Sequence, residues 1–161
     1  MTREEYLAEL FSAYSLVSVL RDKSDYKVIR VRNKEHNKDI VLRSFPTAIA
    51  AYEELYNISC PNLPLIYDVV NLDDGQIILE EFIEGVTISE VMEGGRYHYF
   101  GTRKVLRSVC HALSVLHERN FVHRDVKPEN VIIDKNGRVV LIDFNAARKI
   151  SDASKDTVIM G

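Results

Sequence analysis

The 161 residues are enough for one domain with a real core, and 46% hydrophobic against 28% charged residues is the balance of a soluble globular protein. The net charge of −3 gives no electrostatic case for a nucleic-acid partner, and the sequence holds no apolar run of membrane-spanning length and no signal-peptide core near Met1. Cys60 and Cys110 lie far apart and away from any His at ligand spacing, which predicts free thiols in a cytoplasmic protein.

Thr2 and Glu5 have capping-box spacing, and Leu7, Leu10, Phe11 and Tyr14 follow at helical intervals, so a short amphipathic helix is expected first. Segments 17–20, 26–32 and 39–45 are rich in Val and Ile and are separated by polar turns, the pattern of antiparallel strands. Pro46 opens a predicted helix over 47–56, which ends before Pro61 and Pro64. Strands are expected at 65–71 and 76–82 around the turn Asp73-Asp74-Gly75. Residues 1–83 thus read as a five-stranded antiparallel sheet with one helix besides the N-terminal one.

After this the helical period dominates. A short helix is expected over 88–92, closed by Gly94-Gly95. A longer one follows over 102–118, with Val105, Leu106, Val109, Ala112, Leu113 and Leu116 on its apolar face. Segments 131–133 and 139–142 flank Asn136-Gly137, a strong hairpin signal. The tail from 146 to 161 is polar and without a clear period.

The segment that carries chemistry is His123-Arg124-Asp125-Val126-Lys127-Pro128-Glu129-Asn130, with Asp143-Phe144-Asn145 beginning 13 residues after Asn130. Phosphoryl transfer needs positioning and charge neutralisation more than covalent help. One carboxylate orients the attacking hydroxyl. A side-chain amide and a second carboxylate suit Mg²⁺, a hard ion that prefers oxygen ligands, and a nearby lysine neutralises charge on the transferred group.

This octapeptide resembles the catalytic loop of Ser/Thr protein kinases, and Asp143-Phe144-Asn145 resembles their metal-binding motif with its glycine replaced, in a form found in bacterial members. The resemblance implies an α+β, protein-kinase-like fold: an N-lobe of five antiparallel strands and a regulatory helix over 1–83, and a partial helical C-lobe over 84–161. It implies ATP and Mg²⁺ as cofactors and a protein substrate with a Ser or Thr hydroxyl. Asp125 would be the catalytic base, Asn130 and Asp143 the Mg²⁺ ligands, Lys127 the γ-phosphate contact, and His123 a packed structural residue. Residues 78–85 resemble the last small-lobe strand and the hinge, with the Glu81 carbonyl and the Ile83 N–H as adenine partners. Leu20, Val28 and Val41 would then form the roof and Ile132 the floor of the adenine site. Cys60-Pro61-Asn62-Leu63 resembles the stretch that follows the regulatory helix.

The sequence departs from the family at four places. Arg21, Lys23 and Tyr26 stand where the phosphate-cradling loop has glycines, and glycines let backbone N–H groups approach phosphates. Arg21 and Lys23 read as solvated turn residues, with a charge directed at phosphate as the alternative. Arg43 stands where the family has its phosphate-binding lysine. Ala51 falls at the position of the helix glutamate that normally pairs with that lysine, with Glu53 and Glu54 close by. Glu80 is therefore expected to be the partner of Arg43, because an unpaired charge there would be costly. Finally, 157–161 resembles the end of an activation segment whose closing motif is absent. Ser151, Ser154 and Thr157 are candidate phosphosites, Thr157 the best placed. The apolar surface that the missing helices would cover is expected to promote self-association, and little turnover is expected of this chain alone. Two readings stay open: an active kinase that still binds Mg-ATP, and a pseudokinase acting as a regulatory binding module with weak or no ATP affinity.

Overall fold

The structure is a computed structural model and describes residues 1–23, 26–95 and 99–153. The chain divides into two compact units: residues 1–58 with 65–82, and residues 59–64 with 83–161.

In the first unit, helix α1 (Arg3–Ala13) begins with the expected capping box. The Thr2 hydroxyl accepts from the Glu5 N–H at 3.2 Å, and the Glu5 carboxylate accepts from the Thr2 N–H at 2.8 Å. These bonds satisfy amide donors that have no partner inside the helix. Five strands follow: β1 (Tyr14–Asp22), β2 (Lys27–Asn33), β3 (Asp39–Phe45), and, after helix α2 (Ala50–Leu55), β4 (Ile66–Leu72) and β5 (Gly75–Glu81). They form one antiparallel sheet in the order β1-β2-β3-β5-β4. The two-residue period of the strands sorts their side chains onto two faces. Ile29, Val31, Ile40, Leu42, Ile77 and Leu79 share one face, and Leu10 of α1 is buried against them with Tyr6, Leu7 and Phe11 alongside. Val28, Val41, Arg43, Ile78 and Glu80 alternate with these and belong to the other face. The β4–β5 turn needs Gly75: its φ is 148°, and a Cβ there would sit 2.0 Å from the Phe45 carbonyl oxygen.

Helix α2 is shorter than the expected 47–56. Ile49, just before it, is extended, and its N–H donates at 2.9 Å to Oε1 of Gln76, a side chain with no solvent exposure. The Gln76 amide donates in turn to Asn71 Oδ1 at 2.9 Å and to Glu53 Oε1 at 3.4 Å. The helix start is thus fixed by a side chain of β5 and not by Pro46.

In the second unit, β6 (Gly85–Thr87) leads into α3 (Ile88–Glu93) through a second capping box, Thr87 with Glu90. Then come α4 (Tyr99–His117), β7 (Phe121–Val122), a single 3-10 turn (Pro128–Asn130), the hairpin β8 (Val131–Asp134) and β9 (Val139–Leu141), β10 (Arg148–Lys149) and α5 (Ile150–Ala153). Three strands form the sheet β6-β8-β9, and β10 pairs with β7. Gly137 takes φ 76° in the hairpin, while Asp134 Oδ1 accepts the N–H groups of Asn136 and Arg138 at 2.8 Å each. Gly85 permits β6 to pack against β8, since a Cβ there would lie 2.2 Å from the Ile133 carbonyl oxygen.

Two expectations for this unit need correction. Val105, Ala112 and Leu116 of α4 are buried, but Leu106, assigned to the same apolar face, is 60% exposed. The tail read as aperiodic carries β10 and α5 before the description ends at residue 153.

Residues 59–64 pack into this second unit. The Asn62 amide donates to the Val139 carbonyl at 2.7 Å, the Asn62 carbonyl accepts from the Leu141 N–H at 3.0 Å, and Asn62 Oδ1 meets His111 Nδ1 at 2.9 Å. The Arg138 guanidinium bonds the carbonyls of Pro61 and Leu63 at 2.7 and 2.9 Å.

Candidate active site

The loop between β7 and β8 brings His123, Asp125, Lys127 and Asn130 together. His123 is 1% exposed and contacts the Phe144 ring edge-on at 5.4 Å. Its Nε2 bonds the Ile142 carbonyl at 3.2 Å, and its Nδ1 accepts from the Asp125 N–H at 3.3 Å. These contacts fix one neutral tautomer, with the proton on Nε2. Burial pushes the imidazole below its ordinary pKa of 6.5 despite the nearby carboxylates. His123 therefore ties the loop to the strand that leads into Asp143, with its ring proton committed to the Ile142 carbonyl.

Asp125 Oδ2 accepts from Lys127 Nζ at 2.7 Å and from Asn130 Nδ2 at 2.9 Å. The same Asn130 amide also donates to the Asp125 backbone carbonyl at 2.9 Å. The Lys127 hydrogen bond, supported by Asn130, holds the Asp125 carboxyl below its usual value against the opposing effect of desolvation. The Asp125 side chain is 37% exposed and that of Lys127 42%, so their ion pair is solvated and orients more than it stabilises. Asn130 is 1% exposed and closes the 3-10 turn. With its amide nitrogen committed to Asp125, its oxygen is the end left to meet a cation. The Asn130 carbonyl also accepts the Ile142 N–H at 2.9 Å, which links the loop to the residue before Asp143.

Asp143 is 6% exposed and its φ is 69°; Arg124 on the loop has φ 66°. Left-handed backbone at a residue other than glycine costs energy and persists where the surroundings enforce it, most often at functional sites. Phe144, the next residue, is fully buried and packs edge-on with His123. The donor set of Asn130 and Asp143 is hard oxygen, as Mg²⁺ requires. Among the described residues no group of three or more His, Cys, Asp or Glu is placed to hold a metal ion, so these two would depend on phosphate and water to complete a coordination shell.

In the first unit, Val28, Val41 and Arg43 are 5%, 6% and 5% exposed on their shared face. Leu20, expected in the same roof, is 49% exposed on edge strand β1. Arg43 Nε donates to Glu80 Oε1 at 2.7 Å, the expected partnership, with Glu80 2% exposed. Ala51 is buried, whereas Glu53 and Glu54 lie on the exposed side of α2. The Glu81 N–H bonds the Leu65 carbonyl at 2.8 Å. In the second unit, Ile83 is buried and Ile132 is half-buried on β8, opposite Thr87.

The turn between β1 and β2 is closed by side chains. Arg21 donates to the Tyr26 hydroxyl at 2.9 Å, Lys27 pairs with Asp22 at 3.1 Å, and the Lys23 N–H bonds the Tyr26 carbonyl at 3.0 Å. Arg21 lies at the end of β1, exposed and opposite Val28. Of the candidate phosphosites, Ser151 is exposed on α5, while Ser154 and Thr157 lie outside the described residues. The Gln76 cluster and the Asn62–His111 contact were missed from sequence, because nothing in the local pattern marks which polar residue the fold will bury.

The first unit holds a five-stranded antiparallel sheet, and the second a loop that joins Asp125, Lys127 and Asn130 by hydrogen bonds. The chain matches the protein kinase domain over residues 13–161 and belongs to that family. It is 33% identical to the serine/threonine-protein kinase PrkC of Bacillus subtilis over 95 residues, 58% of this chain and 15% of that protein. It is 29% identical to the probable serine/threonine-protein kinase PknB of Lactococcus lactis over 125 residues, 77% of this chain and 20% of that protein. With the PknB of Mycolicibacterium smegmatis the identity is 31% over 133 residues, 82% of this chain and 19% of that protein. The chain thus spans a fifth or less of the length of these curated relatives.

Proposed function

We propose that this chain is the nucleotide-binding and catalytic-loop portion of an ATP-dependent protein serine/threonine kinase, acting on a Ser or Thr hydroxyl of a protein. The observation that carries the reading is the Asp125 carboxylate, held by Lys127 and Asn130 through one oxygen. Asp125 would orient the substrate hydroxyl and receive its proton as the γ-phosphoryl group passes to that oxygen, the bond to the β-phosphate breaks and ADP leaves. Its lowered pKa makes it a weak base, which suits a reaction whose demand is positioning. Lys127 shifts its charge from Asp125 toward the transferred group. Asn130 and Asp143 would hold Mg²⁺, which when bound with ATP neutralises charge on the phosphates. Val28, Val41, Arg43, Ile83 and Ile132 are the nucleotide contacts that this reading assigns, with Glu81 supplying a carbonyl. Free Cys60 and Cys110 support a reducing, cytoplasmic setting, and no described helix is long and apolar enough to cross a membrane.

Calorimetry with Mg-ATP tests the proposal, with Asp143→Asn as the control. Binding that requires both the metal and Asp143, together with phosphate transfer that disappears in Asp125→Asn, is the expected result. A folded chain that binds no Mg-ATP would overturn it and leave a binding module without catalysis.

A further inference from the structure

A cavity of about 170 Å³ opens at the end of the first unit's sheet, where β1 begins, β2 turns into β3 and β4 starts. Its floor is Ile40 and Leu79, 5% and 8% exposed, which belong to the sheet face that packs on α1. Val28, Val41 and Arg43 belong to the opposite face, so the cavity is separate from the nucleotide contacts proposed above and does not depend on them.

Two tyrosines wall it. Tyr14, the first residue of β1, and Tyr67 of β4 both pack against the same core. Tyr67 owes its place to a bulge. Ile66 pairs with Glu80 and Asp68 with Leu79, so Tyr67 is an extra residue with no register partner on β5. A bulge of this kind re-aims a side chain out of the normal alternation of a strand.

The polar part of the lining is cationic. The Lys38 ammonium stands over the Tyr67 ring at 4.6 Å, and Lys38 enters no ion pair among the described residues. The Asn33 side-chain oxygen accepts the N–H groups of Glu35 and His36 at 3.0 and 2.8 Å, which leaves its amide nitrogen as a second donor at the rim. The other cations of this turn are engaged. Lys34 bonds the Phe11 and Ser12 carbonyls, and His36 lies 3.8 Å from the Glu35 carboxylate.

Size and chemistry narrow the ligand. An apolar cavity of roughly 150 Å³ accepts benzene, whereas drug-sized ligands need about 300 Å³ or more. This cavity suits a single ring. One ammonium and one amide above an apolar floor match a carboxylate with an apolar body, while a phosphate would call for more donors.

We propose that this cavity binds a small, single-ring aromatic carboxylate, with Lys38 meeting the carboxylate and Tyr14, Ile40 and Leu79 enclosing the ring.

The test is NMR titration of the whole chain with benzoate. Acetate serves as the charge without the ring, and benzyl alcohol as the ring without the charge. Benzoate should shift the amides of Tyr14, of residues 33–40 and of Tyr67 and Leu79, and should bind at least about tenfold more tightly than acetate. Lys38 is exposed, so its variants should fold. Lys38→Met should weaken benzoate by about tenfold, as loss of a charge-assisted hydrogen bond requires, and leave benzyl alcohol unchanged. Lys38→Arg should restore benzoate binding. No shifts at these residues with millimolar benzoate, equal affinity for benzoate and acetate, or wild-type benzoate affinity in Lys38→Met would each overturn the proposal.

Discussion

Asn130 donates through one nitrogen to two acceptors of the same residue, the carboxylate and the backbone carbonyl of Asp125, each at 2.9 Å. The side chain that would present its oxygen to a metal is therefore the one that shapes the loop around the reacting carboxylate. The two functions are coupled, and a substitution at Asn130 disturbs both.

Asn130→Asp replaces that donor with a second carboxylate facing Asp125. At neutral pH the like charges repel and the two bonds are lost, so unfolding should come earlier by about 1–3 kcal/mol. Lowering the pH should narrow the gap to wild type as one carboxyl takes up a proton. Thermal unfolding of both proteins between pH 4 and pH 8 checks this. A gap that stays constant with pH would show that repulsion is not the cause.

His123 gives a pH signature of opposite origin. Its folded pKa lies below the ordinary value of 6.5, so the unfolded chain takes up the proton first. The contribution is complete above about pH 6.5 and is lost as the pH falls below that value, because proton uptake favours the unfolded state. His123→Phe should fill the space beside Phe144, lose the bond to the Ile142 carbonyl at a cost of about 1–3 kcal/mol, and flatten the stability slope below pH 6.5 relative to wild type. Chemical denaturation at several pH values measures both.

Asp39 is held at about 2 by the hydrogen bond from Arg32, with Arg30 adding to it. Arg30 also stacks over the Phe82 ring at 4.1 Å. A depressed carboxylate pKa means stability fully present above the ordinary value of 3.8 and lost as the pH falls toward 2. Asp39→Asn should cost about 1–2 kcal/mol at pH 7, with the difference from wild type vanishing near pH 2. Stability curves of the two proteins across that acid range should converge.

The strongly patterned parts of the chain were legible in the sequence. Strand β3 falls on the expected 39–45, and the other four strands of its sheet overlap theirs, because alternation of Val and Ile across a buried face is a local signal. The spacing put Asp125, Lys127 and Asn130 on one loop, and the structure joins the three by hydrogen bonds. Pairing of Arg43 with Glu80 followed from the cost of burying a lone charge. Strands β6, β7 and β10 were not legible, since two or three residues bridged by tertiary contacts carry no period. Leu106 has the spacing of a buried residue and is exposed, because periodicity marks a stripe on a helix and the packing decides how wide that stripe is.

The N-terminal helix provides a last test, because its attachment combines three kinds of contact. Leu10 enters the core between Ile29, Val31 and Leu79, the Met1 amino group pairs with Asp73 at 2.8 Å, and Lys34 donates to the Phe11 and Ser12 carbonyls at 2.8 and 2.9 Å. The charged contacts are exposed and contribute little, so the apolar one should dominate. Leu10→Ala should cost about 2–4 kcal/mol, as burial of a leucine plus the residual cavity requires. Lys34→Ala should cost well under 1 kcal/mol, mainly through the lost capping of the last turn. Hydrogen exchange separates the two effects. Leu10→Ala should speed exchange across both α1 and the β2–β3 amides beneath it, and Lys34→Ala only at the C-terminal turn of α1. Equal effects from the two variants would mean that the helix is held by its ends and not by its apolar face.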